Sequence, residues 1–293
     1  MPSSLPPTIW ADRRLEWGQR TYIMGIVNVT PDSFSGDGLL TEHISEEMLV
    51  ERAIERAQCF VKEGATILDV GGESTRPSVT TSISAEQELA RVLPVIRALR
   101  ATMPADVLIS IDTYKADVAA QALAAGACML NDIWALRHDP QMAAVAAEHK
   151  VPVILMANMR GYQRREIVSD VIRFLSGSID MALAAGVAWE HIIIDPGIGF
   201  STTADPGRDL TLLRRLGELR ALGRPILLGT SRKSVLGRVL GGVPPAERVE
   251  GTAASVALGI AQGADIVRVH DVHEMVRVVK VSDAIVRGSY TFS

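Results

Sequence analysis

Short apolar, β-branched runs alternate with longer amphipathic stretches from Tyr22 to the end of the chain. The pattern predicts strands over Ile23–Val29, Ala65–Val70, Val107–Ile111, Cys128–Ile133, Pro152–Met156, His191–Ile194, Pro225–Leu228 and Ile266–Val269. Each run is nearly all apolar, as expected of parallel strands covered by helices on one face and packed against a core on the other. Between them, apolar residues recur at helical spacing over Glu46–Glu63, Ala85–Arg100, Ala116–Ala125, Pro140–His149, Ile167–Ala185, Asp209–Leu222, Glu247–Gln262 and His273–Val286. About eight βα units result, the number that closes a (β/α)8 TIM barrel.

Glycine recurs between helix and strand at Gly64, Gly126, Gly186 and Gly263, where a left-handed residue ends a helix. Before the first barrel strand, Ile9–Trp17 alternates weakly around polar turn residues and predicts a small hairpin under the barrel, within an extension over residues 1–21. With no low-complexity linker or composition break, residues 1–293 read as one domain. An open doubly wound sheet uses the same alternation, but its GxGxxG turn is missing after the first strand.

Composition narrows the function. No apolar run approaches the ~20 residues of a spanning helix, and residues 1–8 lack the basic and apolar regions of a secretory signal, so the expectation is cytoplasmic. A net charge of −4 excludes a general electrostatic grip on nucleic acid. Cys59 and Cys128 lack metal-ligand spacing and read as small core residues. His43, His138, His149 and His191 read as surface residues without chemistry.

Polar residues gather where the strands end: Asn28; Asp69; Asp112; Asn131 and Asp132; Asn158 and Arg160; Asp195; Ser231–Ser234; and Arg268, His270 and Asp271. In a barrel that end carries the active site. Capping explains any one of them, but not Asn28, Asn131, Lys233, Arg268 and His270 on one rim. Asp195, fixed before the turn Pro196–Phe200, suits a charge-assisted fork to an amidine-like edge, and Asp112 and Asn131 suit a flat heterocycle. A pterin, a purine and an aminopyrimidine fit equally well. Arg268 and His270 precede the last helix, where backbone N–H groups favour phosphate. Asn28, on the neighbouring strand, offers a hard oxygen for Mg2+.

Seven strings, NVTPDSFS, GGESTRP, IDTYKADVA, NDI, IIIDPGIGF, GTSRKS and RVHDV, resemble the dihydropteroate synthase family, in its order and from Ile23 to Val286. The resemblance implies a (β/α)8 barrel that joins 6-hydroxymethyl-7,8-dihydropterin diphosphate to p-aminobenzoate with release of pyrophosphate. It assigns Asn28 to Mg2+ and diphosphate, and Thr75 and Arg76 to a mobile second loop. Asp112, Asn131, Asp195 and Lys233 match pterin-binding positions, with Phe200 beside them. Arg268 and His270 match diphosphate anchors, and Ser234 a contact to the aminobenzoate carboxylate. Asn28, Asp112, Lys233, Arg268 and His270 form the implied catalytic set, and a cytoplasmic homodimer through outer-ring helices is the implied assembly. Asn158 stands where the family usually has histidine.

The implied chemistry displaces diphosphate from a methylene carbon whose positive charge the ring stabilises. Loops over Asp32–Gly38 and Glu73–Thr81 would exclude water, with Phe34 and Pro77 as walls. A corrinoid-type pterin methyltransferase on a related barrel, and a non-catalytic pterin-binding paralogue, are the competing readings.

Overall fold

The computed structural model describes residues 5–30, 45–74, 82–160, 166–200 and 206–290. A hairpin of β1 (Thr8–Trp10) and β2 (Arg13–Leu15) precedes eight parallel strands. These are β3 (Tyr22–Asn28), β4 (Ile67–Gly71), β5 (Leu108–Asp112), β6 (Met129–Asp132), β7 (Val153–Met156), β8 (Ile192–Asp195), β9 (Leu227–Leu228) and β10 (Ile266–Val269). Their order, β8-β7-β6-β5-β4-β3-β10-β9, is the chain order read around a ring, and a parallel bridge from Ile194 to Ile226 joins its ends. That closure makes the fold a (β/α)8 barrel and rules out the open sheet.

The helices are α1 (Glu46–Glu63), α2 (Ala85–Thr102), α3 (Ala116–Ala124), α4 (Met142–His149), α5 (Ile167–Ala184), α6 (Pro206–Arg214), α7 (Ser234–Val239), α8 (Val249–Ala261) and α9 (Val272–Arg287). Ser45 caps α1, and Ser84 with Gln87 forms a reciprocal capping box on α2. The four glycines between helix and strand all have positive φ, from 94° to 121°.

Prolines trim two strands. Pro152 and Pro225 lack an N–H for the ladder, so β7 and β9 start after them while their carbonyls accept from Leu130 and Ile194. The expected helix over 209–222 divides into α6 and a 3-10 segment, Leu216–Leu222, because the Gly217 amide bonds the Gln262 side chain at 3.2 Å. The six-residue α7 is too short to announce itself by periodicity.

The hairpin sits at the strands' N-terminal end, where Thr8 donates to the Glu190 carbonyl and His191 Nε2 donates to the Ile9 carbonyl at 2.9 Å. His191 is thus buried in this joint, against the surface position expected for it. Cys59 is also corrected: it is exposed on α1 and pairs with Glu63, whereas Cys128 is buried as expected. Among the described residues, no helix is long and apolar enough to cross a membrane.

Candidate active site

Strand register carries four polar or small positions around the C-terminal mouth in one row. Asn28 of β3 faces Gly71 of β4, Gly71 faces Asp112 of β5, and Asp112 faces Asn131 of β6. Gly71 sits between Asn28 and Asp112 without a side chain; a Cβ there would come into ordinary contact with Asp112 Cβ at 3.5 Å and Asn28 Oδ1 at 3.8 Å.

Arg268, from the far side of β3, reaches across this row. Its Nε donates to Asp69 Oδ2 at 2.6 Å, and one terminal nitrogen donates to Asp112 Oδ2 at 2.7 Å. Asp69 is fully buried, and its Oδ2 also accepts the Asn131 amide at 3.0 Å. Burial opposes the charge on Arg268, but Asp69 and Asp112 outweigh it and hold the guanidinium protonated. Burial also lifts the Asp112 carboxyl to about 7, against the pull of Arg268 and with help from Asp69. Two acids share one cation here, so this pocket is a hydrogen-bonding site for a cationic or amide-rich edge before it is an anion site.

Asp195 ends β8 under the turn that follows it, with Oδ1 accepting the Gly197 amide at 2.7 Å. Burial pushes its carboxyl up to about 6. Lys233 stands within electrostatic reach; burial pulls its ammonium down to about 8, with Asp195 opposing. Lys233 Nζ lies 4.3 Å from the centre of the Phe200 ring, and the Arg160 guanidinium lies 5.3 Å from the same ring. Phe200 packs with Ile133 and Met156, and Tyr114 and Trp134 border this apolar patch. A slot with an apolar wall and acidic and amide groups along its edge suits a flat, nitrogen-rich ring.

His270 follows β10 and shares Ser231 with it twice: Ser231 Oγ accepts the His270 amide at 3.0 Å and lies 2.9 Å from Nδ1. Next to it, Arg232 forks onto Asp271 at the start of α9. Ser234 is exposed at the first turn of α7. Asn158 is fully buried beyond β7, its Oδ1 taking the Arg160 amide at 3.4 Å. Asp132 belongs to the scaffold: it accepts the Trp134 and Leu136 amides at 2.8 and 2.7 Å, fixing a turn whose Ala135 and Leu136 have positive φ.

Asn28, Asp112, Asn131, Asp195, Lys233, Arg268 and His270 thus meet at one mouth. Thr75 and Arg76, with Phe34 and Pro77, lie outside the described residues, as does His43. The sequence reading did not select Asp69, Ser231, Ile133 or Met156 as site residues. Ile133 and Met156 had a usable signal, since they sit at strand ends beside polar residues. Asp69 had only its rim position.

The pterin-binding enzyme family model matches residues 24–270. The dihydropteroate synthase of Synechocystis sp. is 47% identical over 290 residues, covering 96% of this chain and 96% of that protein. The structure of the Xanthomonas albilineans dihydropteroate synthase with 4-aminobenzoic acid matches at TM-score 0.86 and 40% identity, covering 96% of this chain and 98% of that one. The same enzyme in complex with 7,8-dihydropteroate matches at TM-score 0.83 and 39% identity, with the same coverage.

Proposed function

The chain belongs to the pterin-binding enzyme family, and from that premise we infer that it is a transferase with dihydropteroate synthase activity. It joins 6-hydroxymethyl-7,8-dihydropterin diphosphate to p-aminobenzoate and releases pyrophosphate. The observation that carries this reading is the convergence of Asp112, Asn131, Asp195 and Lys233 beside the Phe200 wall, with Arg268 reaching into the same group from β10.

In this reading Asp195 and Asp112 accept hydrogen bonds from the pterin's amino-pyrimidine edge, and Asn131 and Lys233 take its remaining polar atoms. Arg268 and His270 stabilise negative charge growing on the departing diphosphate, while the two buried acids favour the electron-poor ring. The methylene C–O bond breaks, the arylamine nitrogen forms the new C–N bond, and its proton leaves afterwards. No strong base is needed, since the arylamine is neutral. Thr75 and Arg76 are proposed at the meeting point of diphosphate and aminobenzoate, and Ser234 at the aminobenzoate carboxylate.

Mg2+ is proposed with the diphosphate. Asn28 supplies a single neutral oxygen, and among the described residues no three His, Cys, Asp or Glu side chains gather into a metal cage. That donor set fits an ion that keeps several waters and binds mostly through substrate phosphate. Asn28 would hold it, and it would disperse charge on the diphosphate.

The protein is proposed to be cytoplasmic and to form a homodimer, the dimer being supported by apolar residues left exposed on the outer helices α8 and α9.

Mixing the protein with both substrates should release one pyrophosphate per dihydropteroate formed, and far less when the aminobenzoate is left out. A corrinoid-type methyltransferase or a silent pterin-binding paralogue releases none. Absence of pyrophosphate in the complete mixture would refute the synthase reading.

A further inference from the structure

Asp69 lies beneath the row of site residues, fully buried, with a single oxygen serving two donors. A carboxylate oxygen only accepts, so the bond at 3.0 Å must come from the Asn131 NH2 group. The other end of that amide, Oδ1, is then turned away from Asp69. The same Asp69 oxygen takes Arg268 Nε at 2.6 Å, on the same edge of the guanidinium as the terminal nitrogen that meets Asp112. Its second oxygen, Oδ1, is buried without a hydrogen-bond partner among the described residues. A buried carboxylate with an orphaned oxygen is costly to keep, so the two bonds it does make have a high value in this fold.

We propose that Asp69 is a positioning residue: it sets the polarity of the Asn131 side chain, presenting a carbonyl acceptor to the pterin, and tethers Arg268 when the ring draws on Asp112. This rests on the pterin-binding reading given above. Without Asp69 the Asn131 amide has no fixed orientation, and half of its rotamers offer a donor where the ring needs an acceptor. Arg268 would retain only Asp112, the same group the ring must use. A hydrogen-bonding site with the wrong polarity rejects its ligand strongly, because buried groups on both sides are left unpaired.

The test compares Asp69→Ala, which removes the acceptor, with Asp69→Asn, which keeps one accepting oxygen and removes the charge. Calorimetry with 6-hydroxymethyl-7,8-dihydropterin lacking its diphosphate reads the ring site alone. Asp69→Ala should weaken that binding by about tenfold or more, the size of one lost buried hydrogen bond. The KM for p-aminobenzoate in turnover should stay within about twofold. Asp69→Asn should recover most of the pterin affinity. Should Asp69→Ala not fold, the side-chain amide of Asn131 in 15N-labelled native protein gives the answer: its protons should be protected from exchange and keep their shifts when the pterin binds. Equal pterin affinity in Asp69→Ala, equal damage from Asp69→Asn, parallel loss for both substrates, or an Asn131 amide that exchanges freely would each overturn the proposal. If the native protein binds no pterin at all, the functional reading itself fails, and this inference with it.

Discussion

Asp195 and Lys233 carry opposite displacements of proton affinity from one cause. Burial raises the acid to about 6 and lowers the amine to about 8, so both are charged only in the interval between. In the proposed binding mode the pterin needs Asp195 as an ionised acceptor and Lys233 as a cation. Lowering the pH through about 6 protonates Asp195 and removes one acceptor; Asp112, raised to about 7, begins the same loss earlier. Raising the pH through about 8 discharges Lys233. Pterin affinity measured by calorimetry should therefore peak between these limits, with Lys233→Met flattening the alkaline limb and moving the acid limb to higher pH, because the Lys233 charge no longer draws the Asp195 carboxyl down. A profile level from about pH 5 to about pH 9 would contradict the roles of both groups. Most of these residues were legible in sequence because each stands where an apolar run stops, and in a barrel that point is the mouth. Asp69 was marked by the same rule, but its role was not, since its partner Arg268 is 199 positions away and only the pairing of β10 with β3 brings the two together. Cys59 and His191 misled for a related reason: an apolar neighbourhood in sequence does not say which helix face is covered, or that a hairpin folds back over a loop.

The turn after β8 turns strand geometry into ligand geometry. Gly197 has φ of 72°, and a Cβ there would lie 2.3 Å from the Ala157 carbonyl oxygen. Its amide is also what fixes Asp195 Oδ1. Gly197→Ala combines left-handed strain with a backbone clash, and should cost about 2 kcal/mol or more in stability. Denaturant unfolding reads this loss, and the pterin affinity should fall along with it because Asp195 loses its orientation. A variant as stable as the native protein, with native affinity, would show that the turn has slack. Elements were well encoded where one local rule governs them: α1 and β10 fall on the residues that the periodicity marks. The rule failed where tertiary contact overrode it, as at Gly217, whose amide leaves the helix for Gln262. It also failed for α7, whose six residues complete fewer than two turns.

At the scale of the whole molecule, unit count and the missing GxGxxG turn favoured a closed barrel over the open sheet that shares its alternation, and the bridge from Ile194 to Ile226 decides it. The outer ring was less legible, since the same apolar stripe serves a core or a partner. Leu258 on α8 and Val281 and Ile285 on α9 stay 69%, 61% and 78% exposed, although α8 and α9 pack side by side. Val281 and Ile285 are four apart and share a helix face. Covering each such side chain in a dimer would contribute about 1.5–3 kcal/mol, and a twofold interface covers each of the three twice, which offsets the entropic cost of association. The native protein should therefore sediment at twice the 31.5 kDa chain mass. Replacing Leu258 and Ile285 with Glu should yield monomers, because a dimer would then have to desolvate four charges, two from each chain. The residues proposed to hold the pterin lie at the mouth, whereas α8 and α9 belong to the outer ring. The monomeric variant should thus bind 6-hydroxymethyl-7,8-dihydropterin with native affinity, and a dimer that survives both charges would move the interface to another face of the barrel.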